Sequence, residues 1–121
     1  MRFLLALTLW IVLAAAPALA EKRVALVIGN GAYDHAPKLP NPPNDAEAMA
    51  AALKRLGFDV LLGIDLKKPE METLLQGFAD KIENASGALV FFSGHGLQVH
   101  GRNYLVPVNA KLDKESDLVF H

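Results

Sequence analysis

Three short aliphatic runs and two amphipathic stretches alternate along the chain. Arg23 to Gly29 (RVALVIG) is rich in valine and stops at Gly29-Asn30-Gly31. A compact apolar run closed by turn residues predicts a buried strand. A proline-rich loop follows, and Pro42-Pro43 sets up a helix with Asn44 or Asp45 as its N-cap. Ala46, Met49, Ala50, Leu53 and Leu56 recur at helical spacing, and Gly57 stands where a left-handed terminator belongs. Phe58 to Leu62 reads as a second strand. Pro69 suits the first turn of a second helix, whose apolar stripe is Leu74, Leu75, Phe78 and Ile82. Asn84 to Gly87 breaks that helix. Ala88 to Phe92 is apolar at every position, which predicts a third strand buried on both faces and central in a parallel sheet. Leu97 to Val99 and Tyr104 to Val106 flank His100-Gly101-Arg102-Asn103 and predict a small hairpin. Ala110 to His121 turns from polar to apolar without a cap or terminator.

The order β-α-β-α-β argues for a parallel α/β sheet with right-handed crossovers. Sites in such sheets form outside the carboxyl ends of the strands, near the switch in strand order. His95 follows the third strand and Asp45 follows the loop after the first, so both are expected on that rim. Three strands make a small sheet. With nothing after it, the third strand would present an apolar edge, a surface prone to pairing with other chains. The domain therefore reads as cut short.

Residues 1–20 carry a different pattern. Arg2 precedes an uncharged apolar run from Phe3 to Ala15, Pro17 breaks it, and Ala18-Leu19-Ala20 is a small-residue cleavage pattern. The run is short for a spanning helix, which needs about 20 apolar residues. It predicts a signal peptide cut after Ala20 and an exported product, periplasmic or secreted, with no membrane attachment after cleavage. Residues 21–121 form one domain. Without Arg2, 11 Lys and Arg face 13 Asp and Glu, a charge of about −2. That balance offers no footprint for nucleic acid and no polybasic membrane patch. The sequence holds no cysteine, so no disulfide forms despite an oxidising destination.

The chemistry concentrates in Gly87-Ala88-Leu89-Val90-Phe91-Phe92-Ser93-Gly94-His95-Gly96. An apolar strand ends in a small-residue turn that presents an imidazole, a suitable place for a general base. Other uses of these residues fit less well. His95 and His100 lack a third metal ligand at convincing spacing. Ser93 sits in no G-x-S-x-G elbow. Gly29-Asn30-Gly31 lacks the third glycine of a dinucleotide fingerprint, since position 34 is aspartate. Asp45 suits the positive end of a helix dipole as well as a binding pocket, Asn44 suits a cap better than a ligand, and Tyr33 and Tyr104 suit packing better than binding.

With these residues in view, the chain resembles the caspase-like cysteine peptidases, especially the bacterial metacaspase or orthocaspase branch. The matching pieces run in family order: Val24 to Asn30, Leu39 to Ala46, Leu56 to Val60, Phe92-Ser93-Gly94-His95-Gly96, and Asn103 to Pro107. They cover essentially all of residues 21–121. The resemblance implies the caspase/hemoglobinase fold, a three-layer parallel-sheet sandwich, here truncated after its third main strand. It implies that His95 assists a cysteine thiol and that the backbone N–H of Gly96 helps form the oxyanion hole. It implies that Asp45 lines the substrate pocket, which favours cleavage after Arg or Lys. No cofactor is implied by the residues present. Calcium dependence stays open, because the family's calcium-binding acids would lie beyond His121.

The nucleophilic cysteine and its neighbouring aspartate would also lie beyond His121. Two readings follow. One is the histidine-bearing half of a caspase-like cysteine endopeptidase, inactive alone and acting on peptides or proteins only when completed. The other is a non-catalytic exported interaction module, self-associating or binding a partner through its third strand.

Overall fold

The computed structural model describes residues 21–113 and 117–120. The signal segment expected over residues 1–20 lies outside them. β1 (Arg23–Gly29) pairs in parallel with β2 (Asp59–Ile64) on one side and β3 (Gly87–Ser93) on the other, giving the order β2-β1-β3. Side chains alternate across a strand, so β1 feeds two cores. Val24, Leu26 and Ile28 pack with Met71 and Phe78 of α2 (Lys68–Ile82). Ala25 and Val27 pack with Ala46, Ala50 and Leu53 of α1 (Pro42–Arg55). The result is a three-layer sandwich with one helix on each face of a parallel sheet. Each fully buried aliphatic side chain contributes about 1.5–3 kcal/mol relative to exposure, so β1 anchors both faces.

β1, not β3, holds the centre. Ala88, Leu89 and Val90 of β3 are exposed, Leu89 to 36% and Val90 to 44%. α1 carries the chain from β1 to one side, and α2 carries it back across β1 to the other. Uniform apolarity reports a strand's capacity for burial and does not say which neighbour covers it. The sequence expectation of a β3 buried on both faces is thereby corrected for the described residues.

α1 also starts earlier than its sequence suggests. Asn41 is the N-cap, with Pro42 and Pro43 filling the first helical positions, and Asn44 and Asp45 fall inside the first turn. Proline lacks an N–H and arrives with helical φ, so it is favoured where the helix has no intrahelical bond to lose. The Asp45 N–H then closes the turn on the Asn41 carbonyl at 2.9 Å. Leu56 is the C-cap and is 62% exposed, off the buried stripe. Gly57 follows at φ +88°, the expected left-handed terminator. α1 seats directly on the end of β1: a Cβ on Gly29 would strike the Pro42 carbonyl oxygen and the Ala46 Cβ.

β4 (Gly96–Val99) and β5 (Arg102–Leu105) form the hairpin with a two-residue turn, shorter than the four residues expected. His100 (φ 50°) and Gly101 (φ 77°) both take positive φ, the type I′ geometry that matches strand twist. β6 (Val119–Phe120) joins β5 to make a second, antiparallel sheet. A third apolar cluster of Tyr33, Tyr104, Val106, Val108, Ala110 and Leu118 packs the loop after β1 against the segment after the hairpin.

Candidate active site

The carboxyl ends of all three parallel strands converge on the loop after β1. Beyond β1, the Asn30 N–H donates to the Ser93 carbonyl at 2.9 Å. Beyond β2, Asp65 takes a left-handed conformation (φ 52°), and its Oδ1 accepts the N–H groups of Gly31 (2.8 Å) and Ala32 (3.0 Å). The carboxylate thus pins the first turn of the loop. The Asn30 side chain is fully buried: its Oδ1 accepts the Leu66 N–H (2.9 Å), and its Nδ2 donates to the Val106 carbonyl (3.3 Å). These bonds join three segments of the chain at the rim where the strand order reverses.

His95 sits on that rim, just past β3. Its Nε2 lies 2.8 Å from the Pro37 carbonyl oxygen in the loop. A carbonyl only accepts, so this partner assigns the proton of the neutral ring to Nε2 and leaves Nδ1 with a free lone pair. That is the arrangement of a general base with a fixed tautomer. The His95 backbone N–H donates to the Tyr33 hydroxyl (2.8 Å), and the two rings meet with centroids 4.6 Å apart, tilted by 54°. The Tyr33 hydroxyl donates in turn to the Val106 carbonyl at 3.0 Å.

Tyr33 is 1% exposed. Burial raises its pKa, the His95 N–H opposes that in part, and the negative charge of Asp65 raises it further. The folded state therefore holds the phenol proton more tightly than the unfolded chain, whose tyrosine titrates at 10.0. This contribution is fully present below pH 10 and is lost as pH rises through the folded value. Stability measured by urea unfolding should fall above about pH 10, and less steeply in Tyr33→Phe.

Gly96 begins β4, opposite Leu105. The two-residue turn makes Val99 and Arg102 a hydrogen-bonded pair, and alternation makes Gly96 and Leu105 a non-hydrogen-bonded one. The Val106 N–H bond to the His95 carbonyl (3.1 Å) is the flank of that pair. The Gly96 N–H is therefore turned away from β5 and spared by the ladder, one residue from the imidazole.

Asp45 lies at the same rim, exposed in the first turn of α1. Among the described residues no hydrogen bond or ion pair joins it to His95. His100 is at the far end of β4, and no group of three or more His, Cys, Asp or Glu among the described residues could hold a metal ion. A groove of about 390 Å³, lined by Leu61, Leu62, Leu66, Pro69 and Leu74 among others, lies between β2 and α2, at the opposite edge of the sheet from β3.

Sequence reasoning missed Tyr33, Pro37, Asn30 and Asp65 as parts of the site. Tyr33 does pack, as expected, but its hydroxyl also holds the histidine backbone. Pro37 contributes a backbone atom, which leaves no signature in residue type. Asp65, directly after a strand, carries a turn signal, yet nothing in the sequence pairs it with Gly31.

Comparison with known proteins bears on this geometry. The human mucosa-associated lymphoid tissue lymphoma translocation protein 1 is 35% identical over 92 residues, 76% of this chain and 11% of the human protein. Mouse caspase-12 is 36% identical over 77 residues, 62% of this chain and 18% of that protein. The chain thus spans less than a fifth of the length of either relative. The profile of the family described as Caspase domain matches residues 22–119, nearly all of the described region including His95 and Gly96. The parallel sheet flanked by helices is consistent with that match, and this chain belongs to the caspase domain family.

Proposed function

We propose that this chain supplies the histidine-bearing half of a caspase-like cysteine endopeptidase site, with the thiol contributed from outside these 121 residues. The observation that carries the reading is the His95 imidazole, bonded through Nε2 to Pro37 and with no hydrogen-bond partner at Nδ1 among the described residues. A thiol near pKa 8.5 is mostly protonated at neutral pH and needs such a base. Nδ1 takes the thiol proton, and the thiolate attacks the scissile carbonyl carbon. The resulting oxyanion meets the Gly96 N–H, which the hairpin leaves unspent. The imidazolium then returns its proton to the leaving amine, and water hydrolyses the thioester. A backbone donor at the oxyanion is worth about 3–4 kcal/mol of barrier.

Asp45 is the substrate-pocket residue in this reading, its carboxylate pairing with the guanidinium or ammonium of an Arg or Lys side chain. The product is exported, in line with the signal pattern of residues 1–20, and it acts in the manner of the bacterial metacaspases that the sequence resembles. The test is to isolate the native product from its source cells, determine its intact mass and sequence, and assay a peptide library. The expected product exceeds residues 21–121 in mass, contains an Asp-x-Cys segment and cleaves after Arg or Lys. Asp45→Ala should raise KM for Arg peptides at least tenfold, as loss of a charge-assisted pair implies. A native mass equal to residues 21–121, with no cleavage, would overturn the proposal.

One observation favours a second reading. The apolar edge of β3, with Leu89 and Val90 exposed, is suited to pairing with a strand of another chain. On that reading the protein is a non-catalytic exported module that associates through β3.

A further inference from the structure

The β4–β5 ladder should not stop at Gly96. Continuing the alternation of hydrogen-bonded and non-hydrogen-bonded pairs, His95 and Val106 form the next hydrogen-bonded pair. Half of it is present: the Val106 N–H donates to the His95 carbonyl at 3.1 Å. The other half, from the His95 N–H to the Val106 carbonyl, is replaced. The His95 N–H donates instead to the Tyr33 hydroxyl (2.8 Å), and that hydroxyl donates to the Val106 carbonyl (3.0 Å). The phenolic oxygen is inserted into the ladder, turning one hydrogen bond into two in series.

We infer that Tyr33 is a positioning residue that wedges the strand pair open at His95 and thereby holds the imidazole on the Pro37 carbonyl. The inference rests on reading His95 as the base. Four features make the wedge specific. The single hydroxyl proton is committed to a carbonyl that cannot donate, so toward His95 the oxygen acts only as acceptor. The Val106 carbonyl is fixed from a second side by Asn30 Nδ2 (3.3 Å), so the wedge pushes against a braced strand. Gly94 lacks the Cβ that would stand 2.7 Å from the hydroxyl, so the turn leaves room for it. The ring lies 4.6 Å from the imidazole and limits its swing.

The wedge makes an unusual demand on Tyr33→Phe. A structural hydroxyl, when removed, leaves a buried donor unpaired and costs stability. A wedge, when removed, lets the ladder close: the His95 N–H bonds directly to Val106, and the imidazole is drawn off Pro37. The fold should persist while the histidine loses its fixed tautomer. The test is a long-range ¹H–¹⁵N spectrum of the histidine rings in residues 1–121 and in Tyr33→Phe. In the unaltered chain, His95 should show one protonated and one bare nitrogen, with a slowly exchanging Nε2 proton. Exposed His35 and His100 serve as internal references for a freely averaging ring. In Tyr33→Phe, the His95 nitrogens should move to the averaged positions of those references.

Retention of the fixed tautomer in folded Tyr33→Phe would overturn the inference. Should that variant fail to fold, the unaltered chain decides. A protected Tyr33 hydroxyl proton close to the His95 amide supports the wedge, and a freely exchanging one refutes it. In the cysteine-bearing product, Tyr33→Phe should lower kcat ten- to a hundredfold with KM unchanged. The spectrum reads Tyr33 whether or not the protein is a peptidase. Its failure removes only the wedge, whereas failure of the His95 substitution removes the peptidase.

Discussion

His95→Ala in a cysteine-bearing form of the protein is expected to lower kcat/KM for an Arg-ending peptide by about a thousandfold. General acid–base assistance contributes about 10²–10⁴ in rate, and here one group serves twice, as acceptor of the thiol proton and as donor to the leaving amine. The loss should fall on kcat, because the imidazole acts on atoms in transit and binds no part of the resting substrate. Removing the ring also removes the bond to Pro37 (2.8 Å), so a lone alanine variant mixes loss of the base with relaxation of the loop. His95→Gln separates them. Its amide can still donate to the Pro37 carbonyl, but it has no basic nitrogen. Both variants should be equally inactive, and glutamine should keep the unfolding midpoint closer to that of the unaltered chain. Single-turnover cleavage gives the first quantity and urea unfolding the second. Activity within threefold of the unaltered enzyme in either variant would end the case for His95 as the base.

How much of this was legible in the sequence depends on the range of the interaction that decided it. The strand at Arg23–Gly29, the terminator at Gly57 and the helix opening near Pro69 are set by residues within a few positions of one another. The pattern reveals them within one or two residues. The turn that carries His95 was legible for the same reason: the apolar run ends in the small residues Ser93-Gly94 directly beside it. The start of α1 was misjudged because Pro42-Pro43 competes with Asn44 and Asp45 for the first turn, and prolines that need no N–H win. The place of β3 was misjudged because its apolar faces do not identify their neighbours.

The supports of His95 were not legible at all. Tyr33 contacts it across 62 positions, Pro37 across 58, and Asp65 grips Gly31 across 34. Two of these contacts use a backbone atom of the loop, and a backbone atom leaves no trace in the residue type. The third uses a tyrosine whose hydroxyl matters only because β5 ends where it does. Local pattern can place a reactive group on a rim. Its tautomer is decided by whichever carbonyl the loop delivers there, and that depends on the clamp at Asp65 and the brace at Asn30.

The same dependence predicts a large loss of stability at a residue with no side chain. Gly94→Ala is expected to destabilise the fold by about 2–6 kcal/mol. Gly94 sits at φ +157°, and a Cβ there would meet the Tyr33 hydroxyl at 2.7 Å, Phe92 Cζ at 2.9 Å and the Asn30 carbonyl oxygen at 3.0 Å. Overpacking of this kind costs about 1–3 kcal/mol, and displacing the hydroxyl adds about 1–3 kcal/mol for a His95 N–H left without its acceptor. The Asn30 backbone cannot retreat, because its N–H is tied to Ser93 (2.9 Å) and its side chain to Leu66 and Val106. The hydroxyl is the movable obstacle, and a double-mutant cycle isolates it. In the Tyr33→Phe background the nearest contact is gone and the His95 N–H has already found Val106. Gly94→Ala should then cost at least 1 kcal/mol less than in the unaltered chain, an estimate within the usual range of coupling between residues in contact. The urea midpoints of the four proteins at constant m-value supply the cycle. If Gly94→Ala costs the same in both backgrounds, the alanine is colliding with Phe92 and Asn30 alone, and the hydroxyl does not fill the space that glycine leaves.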